Sequence, residues 1–212
     1  MMDLLQGQRQ TKSDNDIYNL LRPSQPNTDR MEGIIRARVA GTGNWLENEP
    51  RFLSWLKRDE PLLWICGTPG CGKTYLASSV VSLIQSNIAN SLDGWRNSVI
   101  GFFFLRKNNT YTRIGGFHQA LRDVAWQITR LDARYATHLA AQCRSSTDIE
   151  TLSSAWRKLF LSYFGFGSSQ SLYLVIDGLD EAEDTGDFGH NEFLELLADL
   201  EGRCSQSHEL LR

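Results

Sequence analysis

The chain has 212 residues and a formal net charge of −3 at pH 7, which suits one α/β domain, or one domain with an arm. The mild acidity, without any run of basic residues, argues against a nucleic-acid surface. No stretch approaches the ~20 apolar residues of a membrane-spanning helix. The four cysteines form no C-x-x-C pair, so we expect reduced thiols and a cytoplasmic protein without membrane contact.

The N-terminal part of the chain differs from the rest. Residues 1–30 are polar and are interpreted as an arm or linker, in which only residues 14–22 resemble a short helix. From residue 31 to residue 212 the apolar pattern tightens into one domain. There, three apolar runs predict buried strands near 62–66, 98–105 and 171–177, and helical periodicity separates them. The prediction is an α/β fold of three layers, with a mainly parallel sheet between helices.

A glycine-rich stretch directly follows the first predicted strand. Residues 67–74 read GTPGCGKT and match G-x-x-x-x-G-K-[ST] at every fixed position. Backbone amides without an intervening Cβ lie close to a polyphosphate, and the start of the next helix adds donors and a positive dipole end. We expect Lys73 to contact phosphate and the Thr74 hydroxyl to bind Mg²⁺. The predicted nucleotide-contacting residues are Gly67, Thr68, Pro69, Gly70, Cys71, Gly72, Lys73, Thr74 and Tyr75.

Acidic residues end the third predicted strand, in LYLVIDGLDE. Asp177 follows the apolar run directly, and ligands of open α/β sheets bind at that end of the strands. We therefore predict that Asp177 and Thr74 hold Mg²⁺, and that Glu181 or Asp180, with Glu181 favoured, polarises the attacking water. No guanine-specifying N-K-x-D or T-K-x-D occurs downstream of the loop, which favours ATP over GTP.

Three segments together resemble the nucleotide-binding domain of the NACHT/STAND class of P-loop ATPases, and most closely the nephrocystin-type N-terminal version common in fungal signalling proteins. These segments are 41–56 (GTGNWLENEPRFLSWL), 62–81 (LLWICGTPGCGKTYLASSVV) and 172–184 (LYLVIDGLDEAED). The second and third carry the Walker A and Walker B patterns, and the likeness extends over about residues 28–212. The resemblance implies an ATP-driven switch with slow hydrolysis, and it places Gly41–Trp45 near the adenine.

The resemblance also implies a further strand, with a sensor residue, after the last predicted helix. The chain ends about where that strand would begin, so we expect a C-terminally truncated domain. In this ATPase group the strand would lie between the phosphate-loop strand and the Walker B strand. Its absence predicts a gap in the sheet with unpaired backbone groups on both sides, and weak or absent ATPase activity.

Two other functions remain open at this stage. A compact P-loop kinase fits the chain length but needs an arginine-rich lid, and phosphoryl transfer to a small molecule would identify it. The other is a non-enzymatic interaction or decoy module, which binds nucleotide or only a related full-length protein. Protein partners or self-association are expected for it, and sizing the chain with and without ATP would identify it.

Overall fold

The computed structural model describes residues 14–24, 27–39, 41–105, 116–165, 167–181 and 191–200, with the backbone alone for 27–30 and 181. The described residues form helices and two strands, which is compatible with the predicted α/β class. The helices are α1 (14–21), α2 (Asn27–Ala37), α3 (Pro50–Leu56), α4 (Lys73–Ala89), α5 (Gly116–Leu131), α6 (Ala133–Gln142), α7 (Leu152–Ala155), α8 (Ser162–Phe164) and α9 (191–200). A π-helical turn, Trp156–Leu161, joins α7 to α8, and 3₁₀ turns cover Asn44–Asn48, Ser146–Ile149 and Leu179–Glu181.

Two parallel strands form the sheet in the described part of the chain. Strand β1 (Ser98–Phe104) pairs with β2 (Ser171–Asp177), in a register that sets Ser98 opposite Ser171 and Phe104 opposite Asp177. Both strands lie where the apolar runs predicted them. A parallel sheet with more strands, in a full three-layer P-loop fold, stays a prediction.

Each face of the sheet is covered by its own hydrophobic cluster. Because side chains alternate along a strand, Phe103 joins a cluster built from α1, α5, α6 and the 152–164 helical stretch. Its neighbours Phe102 and Phe104 join a second cluster with residues of α2, α3 and α4. These two clusters hold the sheet between helices and fix the direction in which each strand ends.

The prediction of a strand at 62–66 is wrong. These residues have no regular secondary structure, and Trp64 and Ile65 are 51% and 38% exposed. An apolar run forms a strand only where a neighbouring backbone pairs with it, and no described residue pairs with this segment.

The described part of the predicted arm packs against the domain. Helix α1 lies where a short helix was expected, and it buries Ile17, Leu20 and Leu21 in the cluster beside α5. Behind it, the backbone N–H of Ser24 donates to Asp123 Oδ1 (2.7 Å), and the Ser24 hydroxyl donates to Oδ2. The division into an arm and a domain at residue 30 stays a prediction. None of the helices in the described ranges combines the length and apolar character needed to cross a membrane.

Candidate functional site

The glycine-rich loop forms a tight turn that leads into α4. Gly70 and Gly72 have φ values of 80° and 92°, in the left-handed region that favours glycine. The Cys71 N–H donates to the Thr68 carbonyl (3.2 Å), which closes the turn. Gly72 is the N-cap of α4 and has no side-chain cap, so the helix start is open to an external acceptor.

Lys73 lies within the curve of this loop. Its Nζ donates to the carbonyl oxygens of Gly67 (2.7 Å) and Thr68 (3.2 Å). The Leu76 N–H bonds the Gly72 carbonyl (3.0 Å), so the amides of residues 73–75 precede the first i→i−4 bond of α4. A cation beside the free amides of a helix start is an arrangement that binds anions.

The acidic end of β2 depends on a glycine. Gly178 has φ 80°, and a Cβ on it would lie 2.7 Å from the carbonyl oxygen of Leu105. The Leu105 N–H in turn donates to the Asp177 carbonyl (2.8 Å). Gly178 therefore lets the chain pass the end of β1 closely and turn into the segment that carries Asp180.

A cavity of about 320 Å³ joins the loop to this strand end. At its polar end it is lined by Gly67, Lys73, Asp177 and Asp180. Asp177 is half-buried and Asp180 is exposed. The structure thus brings one cation and two carboxylates of the sequence-predicted site to the same cavity.

Other predicted site residues lie outside the cavity lining. They are Thr68, Pro69, Gly70, Cys71, Gly72, Thr74 and Tyr75, which form the outer turn and the first turn of α4. The side chain of Glu181 lies outside the described residues. The individual roles assigned to all these residues remain predictions.

The walls of the cavity are apolar, and the sequence reasoning did not assign them to a site. Ala77 and Val80 line it together with Lys73. The spacing of these three residues, i, i+4 and i+7, puts them on one face of a helix. Once Lys73 is assigned to the site, this spacing is the sequence signal that Ala77 and Val80 face the same cavity. Trp55 and Leu174 complete the far side, and nothing in their local sequence separates a cavity wall from a core position.

Trp55 is held in place by aromatic neighbours. Its ring stacks on Phe52 at a centroid distance of 6.0 Å and meets Tyr173 edge-on at 5.5 Å. Burial raises the pKa of Tyr173 above its usual value, so its hydroxyl keeps the proton that it donates to the Leu56 carbonyl (2.6 Å). This bond fixes α3 against β2 and with it one wall of the cavity.

The segment at 41–45 lies beside the first turn of α4. A Cβ on Gly43 would lie 3.0 Å from Leu76 Cδ1. Behind this contact, a second space of about 220 Å³ is lined by Thr42, Asn44 and Ser79, among others. The Arg38 guanidinium donates to Ser79 Oγ there. Polar groups therefore line part of a space that begins within two turns of Lys73.

A protein-family model described as "Nephrocystin 3, N-terminal" matches residues 41–211. This agrees with the nephrocystin-type resemblance carried by the three sequence segments. No match was found among curated proteins or among solved structures.

Proposed function

Because the chain belongs to the nephrocystin-3 N-terminal family, which is NACHT-like, we propose that it binds ATP with Mg²⁺ as the switch module of a signalling protein. The observation that carries this proposal is the shared cavity, which Lys73 of the loop lines together with Asp177 and Asp180. A cationic group on a glycine-rich turn and carboxylates at a strand end are the two halves of a site for a magnesium-bound polyphosphate.

The residues of the glycine-rich loop leave room for a polyphosphate and offer donors to it. Gly70 has no heavy atom within 4 Å of the position of an added Cβ, apart from chain neighbours, so the outer side of the turn is open. Lys73 Nζ would exchange its bonds to the carbonyls of Gly67 and Thr68 for bonds to phosphate oxygens, which carry more negative charge. The amides of residues 73–75 add donors that α4 itself does not use.

The metal and the water would lie at the acidic end. Mg²⁺ prefers oxygen ligands in octahedral geometry and keeps several waters, and the Thr74 hydroxyl and Asp177 carboxylate are the groups we assign to it. Glu181 or Asp180 is assigned to the water. The adenine of the nucleotide would lie towards residues 41–45, because Gly43 lies close to Leu76 in the first turn of α4.

We propose that hydrolysis by this chain is slow or absent. Phosphoryl transfer depends on groups held in fixed positions around the transferred phosphate. Here Asp180 is exposed, and the sheet edge that precedes it has no neighbouring strand among the described residues. Such a site suits binding and release of a nucleotide better than rapid turnover.

The test is a titration with a fluorescent ATP analogue in the presence of Mg²⁺. Lys73→Ala removes a charge-assisted contact of about 1.5–3 kcal/mol, which corresponds to an affinity loss of roughly 10- to 150-fold. Lys57→Ala, a change of the same type at an exposed lysine at the end of α3, is the matched control and should bind as the wild type does. Equal affinity for Lys73→Ala and wild type contradicts the assignment.

The metal assignment is tested in the same titration with and without Mg²⁺. Asp177→Asn keeps the shape of the side chain but removes the charge that attracts the ion. We expect Mg²⁺ to strengthen binding to the wild type and to have little effect on this variant. Phosphate release by the wild type should stay close to that of Lys73→Ala, and rapid release would contradict the proposal of slow hydrolysis.

A further inference from the structure

A cleft beside α4 plays no part in the proposed phosphate and metal site. It is the space of about 220 Å³ behind the contact of Gly43 with Leu76, and we call it the α4 cleft. None of residues 67–75 lines it, and buried Val80 is the only described residue that its lining shares with the cavity beside Lys73. The α4 cleft is therefore a separate space with its own lining.

One wall of the α4 cleft is a row of serine hydroxyls. Ser79, Ser82 and Ser86 line it, at the spacing i, i+3 and i+7 that puts side chains on one face of a helix. The Ser79 hydroxyl donates to the Tyr75 carbonyl (2.8 Å), and the Ser82 hydroxyl donates to the Ser78 carbonyl (2.9 Å). Because these two protons are used within the helix, the oxygen atoms are left as acceptors. The wall therefore suits a ligand that donates hydrogen bonds.

Two opposite charges line the α4 cleft. Arg38 follows α2 directly, and its guanidinium donates to the Ser79 hydroxyl oxygen. Glu47 belongs to the 3₁₀ turn Asn44–Asn48. Neither Arg38 nor Glu47 forms an ion pair with another residue in the described part of the chain. A guanidinium has more N–H donors than one hydroxyl accepts from, so Arg38 can still bind an acidic group.

The floor of the α4 cleft is apolar and is fixed by the core. Leu46, Phe52 and Val80 line it and are buried. They come from the 3₁₀ turn, α3 and α4, and they belong to one hydrophobic cluster, against which half-buried Leu83 packs. Because close packing holds the side chains of such a cluster in place, the floor exists before any ligand binds.

We propose that the α4 cleft binds a free α-amino acid with an apolar side chain. The carboxylate of the ligand pairs with Arg38 and its ammonium group pairs with Glu47, because hydrogen bonds between ionised groups are the strong ones. The serine oxygens offer further acceptors to the ammonium group, and the ligand's side chain lies on the apolar floor. Each part of such a ligand thus has a matching part of the cleft.

Charge and size both favour this class of ligand over others. A simple anion that binds Arg38 is repelled by Glu47, and a simple cation that binds Glu47 is repelled by Arg38, whereas a zwitterion satisfies both. A volume of about 220 Å³ corresponds to about seven water molecules at ~30 Å³ each. That volume suits a single amino acid and is too small for a whole nucleotide.

The test uses the full chain and L-leucine, with binding measured by calorimetry and located by amide NMR. Isocaproate and isoamylamine are the matched control ligands, because they keep the hydrocarbon part of leucine and lack its ammonium group and its carboxylate, respectively. We expect each of them to bind at least about tenfold more weakly than leucine does. Leucine should shift the amide signals of residues 42–47 and 79–86 and leave unchanged those of α6, which packs on the other face of the sheet.

Variants that remove one charge assign each end of the ligand to its residue. Arg38→Gln removes the cation, so this variant should bind leucine and isoamylamine equally. Glu47→Gln removes the carboxylate, so this variant should bind leucine and isocaproate equally. Arg36→Gln and Glu60→Gln make the same changes at exposed positions outside the cleft lining, and both should bind leucine as the wild type does.

The same measurements separate this site from the nucleotide site. Lys73→Ala should keep the wild-type affinity for leucine, and saturating leucine should not displace the fluorescent ATP analogue from the wild type. A failure of the nucleotide proposal therefore leaves the leucine result intact, and a failure of the amino-acid site leaves the nucleotide result intact.

Any of three results overturns the amino-acid site. The first is an absence of leucine binding up to about 10 mM in a chain whose circular dichroism shows that it is folded. The second is equal binding of leucine, isocaproate and isoamylamine to the wild type, which would be adsorption on the apolar floor. The third is displacement of the ATP analogue by leucine, or loss of the analogue's binding in Arg38→Gln, which would make the α4 cleft part of the nucleotide site.

Discussion

The turn after Asp177 offers a sharp test of how the acidic end of the site is positioned. Gly178 and Gly167 have nearly the same backbone conformation, with φ values of 80° and 82°. They differ in their surroundings, because a Cβ on Gly178 would lie 2.7 Å from the Leu105 carbonyl oxygen, whereas one on Gly167 would meet nothing within 4 Å. Gly178→Ala and Gly167→Ala therefore share a conformational cost and differ in a steric one.

The expected magnitudes follow from these contacts. Placing alanine in the left-handed region costs about 1–2 kcal/mol in either variant. In Gly178→Ala the ends of β1 and β2 must also separate, which breaks the bond from the Leu105 N–H to the Asp177 carbonyl, at a further cost of about 0.5–1.5 kcal/mol. Urea unfolding followed by circular dichroism should show Gly178→Ala as the less stable variant by about 1 kcal/mol. Equal stabilities would refute the contact, and unchanged Mg²⁺-dependent binding by Gly178→Ala would refute its role in placing Asp177.

Two further predictions concern the contacts of α1 and α5. Burial raises the pKa of Asp123 above 3.8 in spite of its hydrogen bonds from Ser24 and Gln119, so the folded state binds this proton more tightly than the unfolded state does. The free energy of unfolding should therefore fall as the pH rises from about 4 through the folded pKa, by about 1.4 kcal/mol for each pH unit that separates the folded and unfolded pKa values. Asp123→Asn should lack this fall, and parallel urea-unfolding profiles of the two proteins against pH would contradict it. Leu21→Ala, at a fully buried position of α1, should lower the free energy of unfolding by about 2–5 kcal/mol. Leu131→Ala, at a position that is 63% exposed at the end of α5, should lower it by less than about 0.5 kcal/mol. Similar losses of stability in both variants would show that α1 is not part of the core.

Local sequence signals were sufficient where the structure depends on local chemistry. The runs at 98–105 and 171–177 predicted both strands, because an uninterrupted apolar run suits a strand covered on both faces. The turn glycines and the start of α4 at Lys73 follow from backbone conformations that only a few residue types adopt. The position of Asp177 at a strand end followed from the point at which the apolar run stops.

The remaining features depend on contacts between distant parts of the chain. The 62–66 run has the composition of a strand. A strand also requires a neighbouring backbone with which it pairs, and the composition of the run does not show whether such a neighbour exists. The burial of Ile17 and Leu21 was missed because a short helix in a polar segment shows too few apolar residues to reveal its partner. The pairing of Gln127 with Phe102 joins residues 25 positions apart, and no local pattern indicates it.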